Sequence, residues 1–191
     1  MEFTLTYSGP LEPTGNSRPD KRAIKQRVRE HFHPQLKRLL EIHPWMVDRT
    51  QYVDGSITSG DETLVRYVDG NPFAGLVHPN TGTLAELDIT MLLPYTGRSY
   101  TPDRGDVDNR IKTLFDALQR PQKKGELPDN WNSPYGPDPL LCLLDNDNRI
   151  TTYTVRPDRL LSPNSNIDTH LTIRVVMKKA ELSYRAMWWG S

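Results

Sequence analysis

Carboxylates crowd two short runs of this chain. The first is Asp103-Arg104-Gly105-Asp106-Val107-Asp108-Asn109-Arg110-Ile111-Lys112, and the second, beyond a Pro- and Gly-rich interval, is Leu144-Asp145-Asn146-Asp147-Asn148-Arg149-Ile150. In the first run Asp108 and Lys112 are four apart, which sets them on one helix face. Asp116 lies a turn further on and Asp106 just ahead. Two or three aspartates beside a lysine suit a hard divalent cation and a phosphate. Mg²⁺ takes oxygen ligands, keeps waters and accepts substrate phosphate oxygens, and a lysine offsets charge developing on the phosphoryl group under attack. The same residues also suit ordinary helix and turn chemistry. Asp106 is a good N-cap, Asp108 complements the helix dipole and can pair with Lys112, and Asp145 and Asp147 are turn formers.

The elements that must position these runs follow from periodicity. The segment 107–119, VDNRIKTLFDALQ, places Val107, Ile111, Leu114, Phe115 and Leu118 on one stripe, an amphipathic helix. Strands are expected at 2–8, 63–68, 87–93, 140–144, 150–155 and 169–177, from two-residue alternation or short apolar runs. Between 63–68 and 87–93, residues 69–83 read as a turn or hairpin region. A helix-forming run from Lys21 carries Ile24, Val28 and Phe32 four apart. Pro34 should kink that helix or start a second one bearing Leu36, Leu39 and Leu40. Residues 120–139 have no periodicity and read as a long surface loop. The tail SYRAMWWGS offers Trp188 and Trp189 for packing or an interface. The order predicts one α+β domain over 1–191, with a mixed, largely antiparallel open sheet of sequence-neighbouring strands packed by two main helices.

Composition narrows the function classes. Lys+Arg and Asp+Glu both number 24, so net charge gives no reason to expect a nucleic-acid partner, and only its distribution can. That distribution is uneven. Residues 18–38 hold Arg18, Lys21, Arg22, Lys25, Arg27, Arg29, Lys37 and Arg38 against Asp20 and Glu30, a run able to track a phosphate backbone or simply to solvate a helix. The single cysteine, Cys142, excludes an intrachain disulfide and a Cys-based zinc site, so a reducing cytoplasm is expected. No apolar stretch approaches membrane-spanning length, and no signal segment is visible. The five histidines lack metal-ligand spacing. There is no Gly-rich phosphate loop for an enzyme of small phosphorylated substrates.

The run DVDNRIKTLFDAL followed by DNDNRITTYTV resembles the signature of the RusA family of Holliday junction resolvases, D-x-D-N-x-x-K-x-x-x-D-A-L and then D-D-x-Q-[IV]. Asp106, Asp108, Asn109, Lys112, Asp116, Ala117 and Leu118 match the first part position by position. With Ile150 on the aliphatic position of the second part, Asp147 falls on the second aspartate, Asn146 replaces the first and Arg149 replaces Gln. The resemblance implies a RusA-like fold and a homodimeric, Mg²⁺-dependent endodeoxyribonuclease, with Mn²⁺ as substitute, that resolves four-way DNA junctions by paired nicks in recombination and repair. It implies Asp106, Asp108, Lys112 and Asp147 as catalytic residues, with the three aspartates as metal ligands and Asp145 as the alternative to Asp147. Asn16 and Arg18, in a Pro-rich loop similar to the family's, and Lys21, Arg22, Lys25 and Arg29 would contact DNA. The interval 120–139 is an enlargement between the two motifs. The altered second motif and the neutral charge also fit a catalytically weak or inactive RusA-like DNA-binding protein of phage or mobile-element origin.

Overall fold

The computed structural model describes residues 1–11, 21–43, 64–94, 104–161 and 169–180. Asn16, Arg18, Trp188 and Trp189 lie outside the described residues. The fold is α+β. In chain order the elements are β1 (Glu2–Gly9), α1 (Lys21–Ile42), β2 (Val65–Val68), β3 (Asn71–Val77), β4 (Thr83–Leu93), α2 (Arg104–Leu118), β5 (Leu140–Leu144), β6 (Ile150–Arg159) and β7 (Thr169–Lys179).

The strands form two sheets rather than the single open sheet expected. One has the order β1-β7-β4-β6 and the other β2-β3-β5. Antiparallel pairs β1/β7, β4/β7 and β2/β3 outnumber the parallel pairs β4/β6 and β3/β5. Among the described strands only β2 and β3 are neighbours in both sequence and space. They are joined by Asp69-Gly70, both at positive φ (48° and 79°), the conformation that a two-residue hairpin turn requires. The chain passes from β4 through α2 and β5 to reach β6, which lies parallel to β4. That crossover is what carries both acidic runs.

β1 and β7 keep the alternation read from sequence, with Leu5, Tyr7, Leu171, Ile173, Val175 and Met177 buried. α1 runs unbroken through Pro34. The proline sits on the exposed face, where the Glu30 carbonyl deprived of its partner can be hydrated. Val28, Phe32, Leu36, Leu39 and Leu40 of α1 enter the core shared with both sheets and α2. β3 was hidden inside the expected turn region. All seven of its residues are buried, so it has no polar face to alternate with, and Pro72 and Gly75 read locally as breakers.

The interval 120–139 is fastened down rather than a simple surface loop. Leu127 is buried, Trp131 stacks on Phe73 with centroids 5.8 Å apart, and its Nε1 donates to Glu30 Oε1 at 2.8 Å. Tyr135 lies on His33 at 4.0 Å, and Ser133 N donates to Asn71 Oδ1 at 2.8 Å. No helix among the described residues is long and apolar enough to cross a membrane.

Candidate functional site

α2 carries the first acidic motif, with Asp108 and Lys112 on an exposed face and Asp106 half-buried on another. At its start Asp106 Oδ2 accepts from Arg110 Nε at 3.0 Å. Arg110 also donates to the Leu11 carbonyl and to Thr169 Oγ1, which fixes the helix start against the ends of β1 and β7. Asp108 and Lys112 are both exposed. Although spaced for an i,i+4 ion pair, they do not form one, and neither has another ion-pair partner among the described residues. Asp116, further along, meets Lys25 Nζ at 3.5 Å.

The second acidic run meets the other end of this helix. Gln119 extends the helical bonding by donating from its N–H to Phe115 O at 3.2 Å, and Arg120 N donates to Leu144 O at 3.0 Å. Asp147 opens a short 3₁₀ turn, Asp147–Arg149, capped by the Asn146 side chain, and its N–H donates to Gln119 Oε1 at 3.1 Å. From Asp108 to Gln119 is roughly 16 Å along the axis of an α-helix. The structure therefore sets Asp108 and Lys112 on one exposed face near one end of α2, keeps Asp106 two residues ahead on another face with Arg110, and leaves Asp147, itself exposed, at the far end of the helix. Among the described residues no group of three or more His, Cys, Asp or Glu gathers as a metal site.

Asp145, the alternative third ligand, is 8% exposed and already engaged. Its Oδ1 accepts from Arg120 Nε at 2.5 Å, from Arg120 Nη2 and from His78 Nε2 at 3.3 Å. His78 Nδ1 accepts from Asn80 N at 3.1 Å, which leaves the ring proton on Nε2, facing the carboxylate. Gln122 Nε2 donates to the carbonyls of Asp145 (2.6 Å) and Arg120 (2.9 Å). Burial pushes the Asp145 carboxyl up, but the His78 hydrogen bond and the Arg120 charge outweigh it and hold the group below its usual range. Asp145 is thus a structural anion, which corrects its candidacy as a ligand.

The expected DNA contacts divide. Lys21 is exposed. Arg22 makes a bidentate pair with Asp129 at 2.8 and 3.0 Å, and Lys25 is held by Asp116. Arg29 has to be corrected, because it is 2% exposed and cannot reach a phosphate. Its Nη2 donates to Asp116 O (2.8 Å) and its Nε to Gln119 O (3.0 Å), satisfying carbonyls that the C-terminus of α2 leaves open. Burial lowers its pKa, and nearby Cys142, Glu126 and Asp116 act the other way.

The His78–Asp145–Arg120 cluster was missed in the sequence. Arg120 directly follows the α2 stripe and Asp145 directly follows the apolar run LLCLL, so both were positioned to be buried. Nothing local marked His78. No protein-family model matches the chain, and no curated protein and no solved structure matches it.

Proposed function

We propose that this protein is a Mg²⁺-dependent endodeoxyribonuclease of the RusA kind, nicking four-way DNA junctions in recombination or repair. The observation that carries the reading is the exposed pair Asp108 and Lys112, one turn apart and unpaired with each other, with Asp106 two residues ahead on the same helix. An ion pair is the ordinary reason for that spacing, and its absence leaves both groups free to meet a ligand. Asp106 and Asp108 offer the hard oxygen donors that Mg²⁺ takes, with room on the solvent side for water and phosphate oxygens. The bound metal would supply a polarised phosphate and a water of lowered pKa. Arg110 fixes the Asp106 carboxylate, and Lys112 stands where added negative charge on a phosphate would be offset. Lys21 on α1 is available for backbone contact.

Labelled four-way junction and linear duplex of the same sequence, incubated with Mg²⁺, Mn²⁺ or EDTA, test the reading. Paired nicks confined to the junction and lost in EDTA, in Asp108→Asn and in Lys112→Met, with the variants still folded, are expected. Full activity of Lys112→Met would remove the lysine from the centre. A second reading, a junction-binding protein without cleavage, is favoured by one observation, the distance of Asp147 from Asp108. Tight junction binding with intact DNA in both metals would decide for it.

A further inference from the structure

The segment 124–132 and the β2/β3 turn enclose a half-open pocket of about 400 Å³, within the roughly 300–1,000 Å³ of small-ligand sites. Its walls are fastened to the body of the protein. Gly125, at φ 83°, donates its N–H to Asp69 Oδ2 at 3.2 Å, which ties the segment to the hairpin turn. Arg22 holds Asp129 in its bidentate pair, and Trp131 is fixed by Phe73 and Glu30. Trp131 N donates to Pro128 O at 3.1 Å and closes a turn whose third residue, Asn130, has φ 58°, a position that selects Gly or Asn.

The fastened groups leave a short set of free ones. Among the described residues Lys124 has no ion-pair partner, the Asn130 side chain has no hydrogen bond, and Asn132 uses only its Nδ2, at 3.5 Å from Asn130 O. All three are exposed and line the pocket with Leu127, Pro128 and Trp131. One cation and two amides beside an indole and apolar residues define a mixed ligand. A phosphate takes the cation, and a flat heterocycle takes the aromatic wall and offers the amides donors and acceptors. A bare anion would leave the indole and amides unused, and a purely apolar ligand would cover the amides unpaired.

We propose that this pocket binds a single unpaired nucleotide, with its base at Trp131, Asn130 and Asn132 and its phosphate at Lys124. Adenine is the base expected, because one side-chain amide can donate to its N7 and accept from its 6-amino group together. Single helical turns and ion pairs lead from the pocket to the exposed face of α2. Asp129 pairs with Arg22, Arg22 lies one turn from Lys25, Lys25 meets Asp116, and Asp116 lies one turn from Lys112. DNA engaged at Lys112 can therefore place an unstacked base here. That use rests on the nuclease reading, whereas binding of a free nucleotide does not.

Titration of the full chain with dAMP in EDTA, read by NMR on the Trp131 indole N–H and the backbone amides of Lys124, Gly125 and Asn130, tests the site. Saturable shifts of these groups are expected, with dTMP about fivefold weaker or more and inorganic phosphate without effect on the indole. Lys124→Ala should weaken dAMP about tenfold. Asn130→Gly, which keeps the positive φ, should remove the preference for dAMP over dTMP. Both residues are exposed, so neither change threatens the fold. No shift with dAMP, equal shifts with inorganic phosphate, or unaltered binding in both variants overturns the proposal. A duplex with one bulged adenine, set against the fully paired duplex, then identifies the source. Displacement of dAMP by the bulged duplex alone makes the ligand a DNA base, and displacement by neither makes it a free nucleotide. Equal displacement by both shows a backbone contact and overturns the base pocket. None of these outcomes involves cleavage, so the nuclease reading stands or falls separately.

Discussion

Both ends of α2 carry aspartates, but among the described residues only one end has a carboxylate buried in the fold. Asp145, directly after β5, lies beneath the surface, where an ionised group must be paired; Arg120 and His78 do this and Gln122 fastens the turn. Asp147, two residues on, is exposed, as is Asp108 at the far end of the helix. Water solvates such groups at no cost to folding, so they remain available to a cation. Within an acidic run, position relative to the preceding strand therefore separates the structural anion from the available one.

The strongest way to break this contrast is Asp145→Asn. It leaves Arg120 buried without its counter-charge and should cost about 3–5 kcal/mol. Asp147→Asn and Asp108→Asn should each stay within about 0.5 kcal/mol of wild type. Urea unfolding of the three variants checks this, and equal losses would mean that the two ends do not differ. Acid should act through a second buried group. His33 is pressed down to about 4 by burial, with Lys37 adding to the effect and Asp138 opposing it, and its Nδ1 accepts from Leu141 N at 3.0 Å, which a protonated ring cannot do at that atom. The unfolded chain, with a histidine near 6.5, then binds the extra proton first. Stability should fall as pH drops from 6.5 to 4, by up to about 3 kcal/mol, and the drop should flatten in His33→Gln. The lowered carboxyl of Asp145 adds a separate loss only below its usual 3.8.

Smaller in effect, and specific to the structural end, is Gly75→Ala. A Cβ there would stand 2.4 Å from Asp145 N and 2.6 Å from Asp145 Cα, backbone that cannot swing aside. Overpacking of this kind costs roughly 1–3 kcal/mol. Thermal melts of Gly75→Ala at neutral pH read the loss, and an unchanged melting temperature would show that the turn after β5 is looser than its contacts imply.

The class of fold and most elements were legible, because β1, β7, α2 and the stripe of α1 each bury one face and leave the period in the sequence. What was illegible had lost that contrast. β3 is buried all round, and the partition into two sheets is set by β3 pairing with β5 across the whole of α2, a contact no local pattern encodes. The candidate site was half legible. The i,i+4 spacing placed Asp108 and Lys112 on one face correctly, but linear nearness of the two acidic runs concealed that α2 holds them apart.

α1 repeats the contrast on the basic side, and its exposed pair gives the smallest expected effect. Arg29 and Arg22 lie two turns apart in one cationic run, yet Arg29 caps α2 from within the core while Arg22 pairs with Asp129 at a site where the carboxylate is 81% exposed. An exposed pair of this kind contributes about 0.2–1 kcal/mol and fades as salt rises. Arg22→Ala should therefore shift the urea midpoint only slightly at low salt and not measurably at high salt. If Arg22 leaves Asp129 for a DNA phosphate, the same variant should reduce the salt dependence of junction binding by about one released counterion. Unaltered salt dependence would assign Arg22 to fastening the 120–139 segment and leave Lys21 as the cation to test at this end of α1.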